Sequence, residues 1–247
     1  MHNPLEQFVI DRIVPINVAG HDISFTQSSL VMVLGVALTA LLMLAGIRKQ
    51  ALVPGRWQNV SEMLYEAVFG IVTENLGEEG KKYFPFVFTL FMTVLMGNLL
   101  GLIPYSFTYT SHIIVTGALA LLVFGMATLI GLWKHKFHFF SLFLPKGLPF
   151  LMIPLIIPIE VISYLSRPVS LSVRLCANMM MGHTMLKLIA GFSASLIMLG
   201  FGLKLVGILP FFVNVALMGL ELMIAFIQAY VFAILTCIYL KDAIELH

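Results

Sequence analysis

Glu160, Arg167 and Arg174 recur at seven-residue intervals inside a stretch that is otherwise almost wholly apolar, and Asn178 and His183 follow them. Glu221 and Gln228, again seven apart, stand in the next apolar stretch. On an α-helix, at about 100° per residue, an interval of seven returns close to the same face. Glu160, Arg167 and Arg174 then form one slowly drifting stripe that Asn178, four beyond Arg174, continues. His183, nine beyond Arg174, points the other way, and Glu221 shares a face with Gln228. These residue types in this medium suggest ion chemistry. An arginine at a bilayer centre costs about 2.5–3.5 kcal/mol on insertion scales, which makes it a functional candidate by default. Its guanidinium keeps its proton, whereas imidazole titrates near neutral pH. A His–carboxylate pair can pass protons on; a fixed cation can block a straight-through leak and attract a carboxylate that a partner brings to it.

The scarcity of charge supports this reading. The 247 residues are 60% hydrophobic and only 11% charged, against about 25% charged in soluble domains. Between Lys82 and Lys241 the acidic residues are Glu160 and Glu221 alone. The basic ones beyond Lys134, Lys136 and Lys146 are Arg167, Arg174, Lys187 and Lys204. No phosphate loop, metal-binding His pair or nucleophile elbow is present, so no cofactor or metal is expected. A net charge of +2 without a basic run gives no sign of a nucleic-acid partner. Cys176 and Cys237 fall in apolar segments and are expected to fill core space rather than pair. The first 28 residues carry Glu6, Asp11 and Asp22 with no basic run ahead of an apolar one, so no cleavable signal or transit peptide is expected there.

The elements that must hold these groups are membrane helices. The expected organisation is one membrane domain over 1–247, beginning with an outer N-terminal segment at 1–28 and a first span at 29–47. An amphipathic surface helix is expected over 56–80, where Glu62, Glu66, Glu74 and Glu78 interleave with Trp57, Val60, Met63, Leu64, Ala67, Val68 and Ile71. Residues 84–133 hold two spans around a turn at 104–112. Residues 150–241 form a hairpin of two long helices, divided by a glycine-rich stretch (Gly191, Gly200, Gly202, Gly207). Each half, of roughly 40 residues, would be about 60 Å long, twice the hydrocarbon thickness, and so must be strongly tilted. Pro154, Pro158 and Pro168 are expected to mark bends. The fold class is an all-α integral membrane protein. Arg48, Lys49, Arg56, Lys81, Lys82, Lys134, Lys136 and Lys146 fall on one side if the N-terminus is outside and the C-terminus inside.

An antiparallel hairpin of constant register pairs Arg174 with Gln228 and His183 with Glu221, and sets Glu160 beside Lys241 and Asp242. Glu160 then lies toward the inner surface, Arg174 near the middle, and His183 with Glu221 toward the outer surface. Carboxylates on either side of a permanent cation suit two offset proton half-channels. Beside this stand blander readings. Arg167 is structural or interfacial, Glu160 is either a half-channel carboxylate or an anchor, and Asn178 and Gln228 satisfy polar neighbours. Lys187 and Lys204 snorkel near the outer turn, and His112, His135 and His138 are solvated in loops.

The run Ser166-Arg167-Pro168-Val169-Ser170-Leu171-Ser172-Val173-Arg174-Leu175-Cys176-Ala177-Asn178-Met179 resembles the arginine-bearing helix of subunit a of F-type ATP synthases. Gly97-Asn98-Leu99-Leu100-Gly101-Leu102-Ile103-Pro104-Tyr105 resembles that family's mid-chain span. The resemblance implies that Arg174 faces the rotating c-ring, with Asn178 and Gln228 as its polar neighbours. It implies a non-catalytic, proton-translocating part of a rotary motor. The partners it implies are the c-subunit ring, peripheral-stalk b-type subunits, the remaining F1Fo subunits, membrane lipid and protons. The commonly described bacterial pattern has Glu at the position of His183 and His at that of Glu221. The exchange resembles alphaproteobacterial and mitochondrial versions, so the implied location is a bacterial inner membrane or, alternatively, a mitochondrial one.

Three other functions compete. A secondary transporter would bind substrate around Arg174 and Asn178, but no internal repeat is found. An intramembrane enzyme would use His183 and Glu221 as acid and base, without an accompanying nucleophile. A structural anchor would need none of these groups.

Overall fold

The computed structural model describes residues 12–15, 17–18, 21–22, 24–48, 54–103, 106–136, 153–198 and 201–244. Its helices are α1 (Gln27–Ile47), α2 (Arg56–Leu76), α3 (Phe84–Gly101), α4 (Ile113–His135), α5 (Ile153–Met198) and α6 (Phe201–Ile244). Five of them, all but α2, are long and apolar enough to cross a membrane. Helices satisfy every backbone polar group internally, which a bilayer interior demands. The chain is an all-α integral membrane protein. Its exposed surface is accordingly apolar, as at Val33, Val36, Leu41 and Leu44 of α1.

Ahead of α1 the backbone forms two short antiparallel pairs that the sequence reading did not anticipate. β1 (Arg12–Val14) pairs with β4 (Phe25–Thr26), and β2 (Asn17–Val18) pairs with β3 (His21–Asp22). The expected surface helix ends at Leu76, short of residue 80, because Gly77 turns out of it at φ 62°. A 3-10 turn over Glu78–Lys82 follows.

α5 has 46 residues and α6 has 44. At 1.5 Å per residue each is more than about 60 Å long, so neither fits an ordinary 30 Å hydrocarbon layer upright. The prolines do not interrupt α5. Pro154 sits in its first turn, where a missing N–H is harmless, and Pro158 and Pro168 lie inside the continuous helix. The glycine-rich divider is also narrower than expected: Gly191 belongs to α5, and Gly202 and Gly207 belong to α6. Gly200, the Lys204 side chain, Pro104, Tyr105, Lys49, His138 and Lys146 lie outside the described residues.

The chain divides into two compact units. The first comprises Met1–Ala45, Met92–His112 and Leu175–Ala229. Its core includes Met92, Leu95, Leu175, Met179, Ala225 and Ala229. In it the segment after α3 folds back on the end of that helix, where two glycines leave room. A Cβ on Gly97 would collide with Tyr109 Oη, and one on Gly101 would stand 2.6 Å from Thr108 Cγ2. Tyr109 Oη donates to the Thr93 carbonyl at 2.8 Å, and Cys176 Sγ donates to the Ser111 carbonyl at 2.8 Å. His112 is half-buried rather than free in a loop: its ring stacks on Phe107 at 5.0 Å between centroids, and burial holds its pKa below the usual imidazole value.

The second unit comprises Gly46–Phe91, Ile113–Arg174 and Tyr230–His247. Val68 and Val72 of α2, Val87 of α3, Val123 of α4, and Phe232, Ala233, Cys237 and Leu240 of α6 are buried in it. Tyr65 and Phe69 of α2 meet Phe84 of α3 edge-on at 4.7 and 5.6 Å. Here too a histidine expected to be solvated is engaged: His135 closes α4, and its Nε2 lies 2.9 Å from the Ile244 carbonyl.

Candidate functional site

In the first unit α6 presents Glu221, Ala225, Gln228 and Ala229 to the interior, the three- and four-residue spacing of one buried helical face. Glu221 is 3% exposed, and its Oε1 lies 3.6 Å from Nδ1 of His183. Gly182 makes this pairing possible, since a Cβ there would stand 2.5 Å from Glu221 Oε1. The predicted His183–Glu221 pair is therefore brought together. The other imidazole nitrogen is also engaged: His183 Nε2 lies 3.1 Å from the buried Thr108 Oγ1, in the segment docked on Gly101.

Further along, Asn178 Nδ2 donates to Gln228 Oε1 at 3.0 Å. The sequence register had set Gln228 against Arg174, one turn away. The reason is visible in the two pairs. Five residues of α5 separate Asn178 from His183, whereas seven of α6 separate Gln228 from Glu221, so the helices do not advance in constant register.

This unit is rich in buried polar atoms without a hydrogen-bond partner among the described residues. They include both carboxylate oxygens of Glu221, Gln228 Nε2, Asn98 Oδ1, Thr110 Oγ1 and Asn214 Oδ1. Buried groups of this kind are ordinarily satisfied by water or protonation. Asn98 Nδ2 reaches the Ala225 carbonyl at 3.4 Å, a long contact that ties α3 to the same face of α6. Sequence reasoning missed Thr108, Asn98 and Asn214. A signal existed for Asn214, which continues the seven-residue series of Glu221 and Gln228.

In the second unit Arg174 is exposed on α5, and it makes no hydrogen bond or ion pair there among the described residues. Its guanidinium is thus available to a group outside this chain. Glu160 is half-buried near the start of α5 and does not meet Asp242 as expected. Asp242 instead accepts a 2.7 Å bond from Arg167 Nη1. The Arg167 guanidinium lies 5.5 Å from the ring centre of Tyr164 and 5.4 Å from that of Tyr239. The structural reading of Arg167 suits this clasp. At the end of α4, Lys134 Nζ donates to Glu79 Oε2 at 2.9 Å, which holds the exposed Glu79 carboxyl below its usual range. No group of three or more metal-ligating side chains occurs among the described residues.

Comparison with known proteins places this arrangement in a family. The sequence profile of the "ATP synthase A chain" family matches residues 29–241. The chain is 55% identical to "ATP synthase subunit a" of Rhodospirillum rubrum, with 100% of both chains covered. It is 54% identical to the protein of the same name from Chelativorans sp., covering 98% of each. A Rhizobium etli protein of that name is 52% identical over 99% of this chain and 98% of the relative. The chain belongs to the ATP synthase A chain family.

Proposed function

We propose that this chain is the proton-conducting stator subunit of a rotary ATP synthase, forming two offset half-channels against a ring of c subunits. The observation that carries the proposal is the buried His183–Glu221 pair, continued by Asn178–Gln228 among polar atoms left for solvent or protons. One half-channel runs past His183 and Glu221 from the outer side. The other reaches the ring from the inner side, where Glu160 is the candidate carboxylate. Arg174 separates them.

In this reading a proton arriving through one half-channel neutralises a ring carboxylate, and that c subunit then turns into lipid. After nearly a full turn it meets the other half-channel and releases the proton beside Arg174. An ion pair at 4 Å is worth about 4 kcal/mol at an effective dielectric of 20, enough to favour the charged carboxylate without locking it. A membrane potential supplies about 2.3 kcal/mol per charge per 100 mV, so several protons together drive a costly reaction elsewhere in the complex. The subunit itself performs no nucleotide chemistry. Peripheral-stalk b-type subunits and the remaining F1Fo subunits complete the assembly. The membrane is the bacterial inner membrane, with the N-terminus outside and the C-terminus inside.

The test is a swap. His183→Ala and Glu221→Ala each remove a titratable relay and slow passive proton flux through the membrane sector by at least about tenfold, equivalent to 1.4 kcal/mol. The double exchange His183→Glu with Glu221→His keeps one acid and one imidazole, and conducts better than His183→Glu or Glu221→His alone. A double exchange as damaging as the worse single exchange refutes their joint role.

A further inference from the structure

The contact between Thr108 and His183 lies outside the series of residues just assigned to the path. It comes from the chain segment folded back on α3, and it engages the imidazole nitrogen that faces away from Glu221. Thr108 Oγ1 has two neighbours: His183 Nε2 at 3.1 Å and the Gly101 carbonyl at 3.4 Å. A hydroxyl has one hydrogen and two lone pairs, so it can donate to one neighbour while accepting from the other. Carbonyl oxygen only accepts; imidazole Nε2 accepts when bare and donates when protonated.

We propose that Thr108 is a positioning residue whose hydroxyl turns between His183 Nε2 and the Gly101 carbonyl, giving the imidazole a partner in each of its protonation states. With the imidazole neutral and its proton on Nδ1 toward Glu221, Thr108 donates to the bare Nε2. When a second proton arrives at Nε2, that N–H donates to Oγ1 and the hydroxyl hydrogen turns to Gly101. Thr108 gains and loses no proton; only its hydrogen bond changes direction. The inference rests on the half-channel reading above and deepens it by naming what keeps the relay histidine poised. The charged and titratable groups near His183 in its unit, among the described residues, are Glu221 on α6 and Lys187 one turn along α5. The 106–111 segment presents the hydroxyl, and Gly101 presents only backbone.

Removing the hydroxyl leaves the imidazolium N–H at Nε2 without its acceptor and disfavours the charged form. The experiment uses intact complexes in inverted vesicles stripped of their catalytic head, with passive proton flux driven by a potassium diffusion potential. The pH is varied on both sides together, and assembly is checked by the amounts of this chain and of the ring. Thr108→Val keeps the shape. It is expected to move the midpoint at which flux falls on alkalinisation to lower pH by about half to one unit. Thr108→Ser, which keeps the hydroxyl, restores the midpoint. In a His183→Ala background, where flux is already low, Thr108→Val produces no further shift. An unshifted midpoint in assembled Thr108→Val overturns the proposal, as does a shift of equal size without His183. Parent-like flux in His183→Ala alone would instead overturn the half-channel reading on which the proposal rests.

Discussion

At Arg174 the relevant property is a charge that cannot be withdrawn. Its side chain is exposed on α5, available to an acidic group brought by a partner. Lysine supplies the same charge in water but loses its proton readily when desolvated. Arg174→Lys is therefore expected to assemble and yet lose coupling between ATP hydrolysis and proton pumping; normal pumping in that variant contradicts the permanent-charge argument. Gly182 shows a different kind of control. Its hydrogen leaves the space that the buried Glu221 carboxylate occupies beside His183. Gly182→Ala is expected to push the carboxylate aside and lower proton flux about tenfold (1.4 kcal/mol), with the assembled complex still present in the membrane. Flux at the parental level would show that the carboxylate has room to spare. Arg174, His183 and Glu221 were visible as candidates in the sequence because charge is so scarce there that each ionisable group stands out. Thr108 was not, because it is an ordinary hydroxyl in a connecting segment, and only the fold brings it to His183.

At the scale of elements, the spans were legible because a bilayer imposes their length and apolar content directly. The ends were less so: α2 stops where Gly77 takes a positive φ. The pairing of α5 with α6 was half legible. A constant register found His183 with Glu221 but misplaced Gln228 by one turn and missed Arg167 with Asp242. Sequence periodicity specifies a face of each helix and carries no information about how two helices cross. The segment between α3 and α4 carries its own pH dependence. Burial lowers the pKa of His112 relative to the unfolded value of 6.5, so the native state favours the neutral ring. The stabilisation is complete above that unfolded value and is lost as pH falls through it toward the folded one. The thermal midpoint of the detergent-solubilised complex is expected to drop less on acidification from pH 7.5 to 5.5 in His112→Gln than in the parent. Equal drops would remove His112 from that dependence.

For the whole molecule, the distribution of charge matters more than the amount. Basic residues gather in the connections at 48–56, 81–82 and 134–146, while the long apolar stretches keep a few ionisable groups. A secondary transporter or an intramembrane enzyme would function in isolation, whereas a stator subunit has work to do only against a moving partner. Family membership favours the second kind of protein, and in the proposed mechanism Arg174, exposed on α5, is the group that meets that partner. The most direct test is ATP-driven acidification of inverted vesicles carrying Arg174→Ala, with assembly measured on the same membranes. Loss of pumping from an intact complex is the predicted result. Pumping at the parental rate would make Arg174 structural and contradict the account.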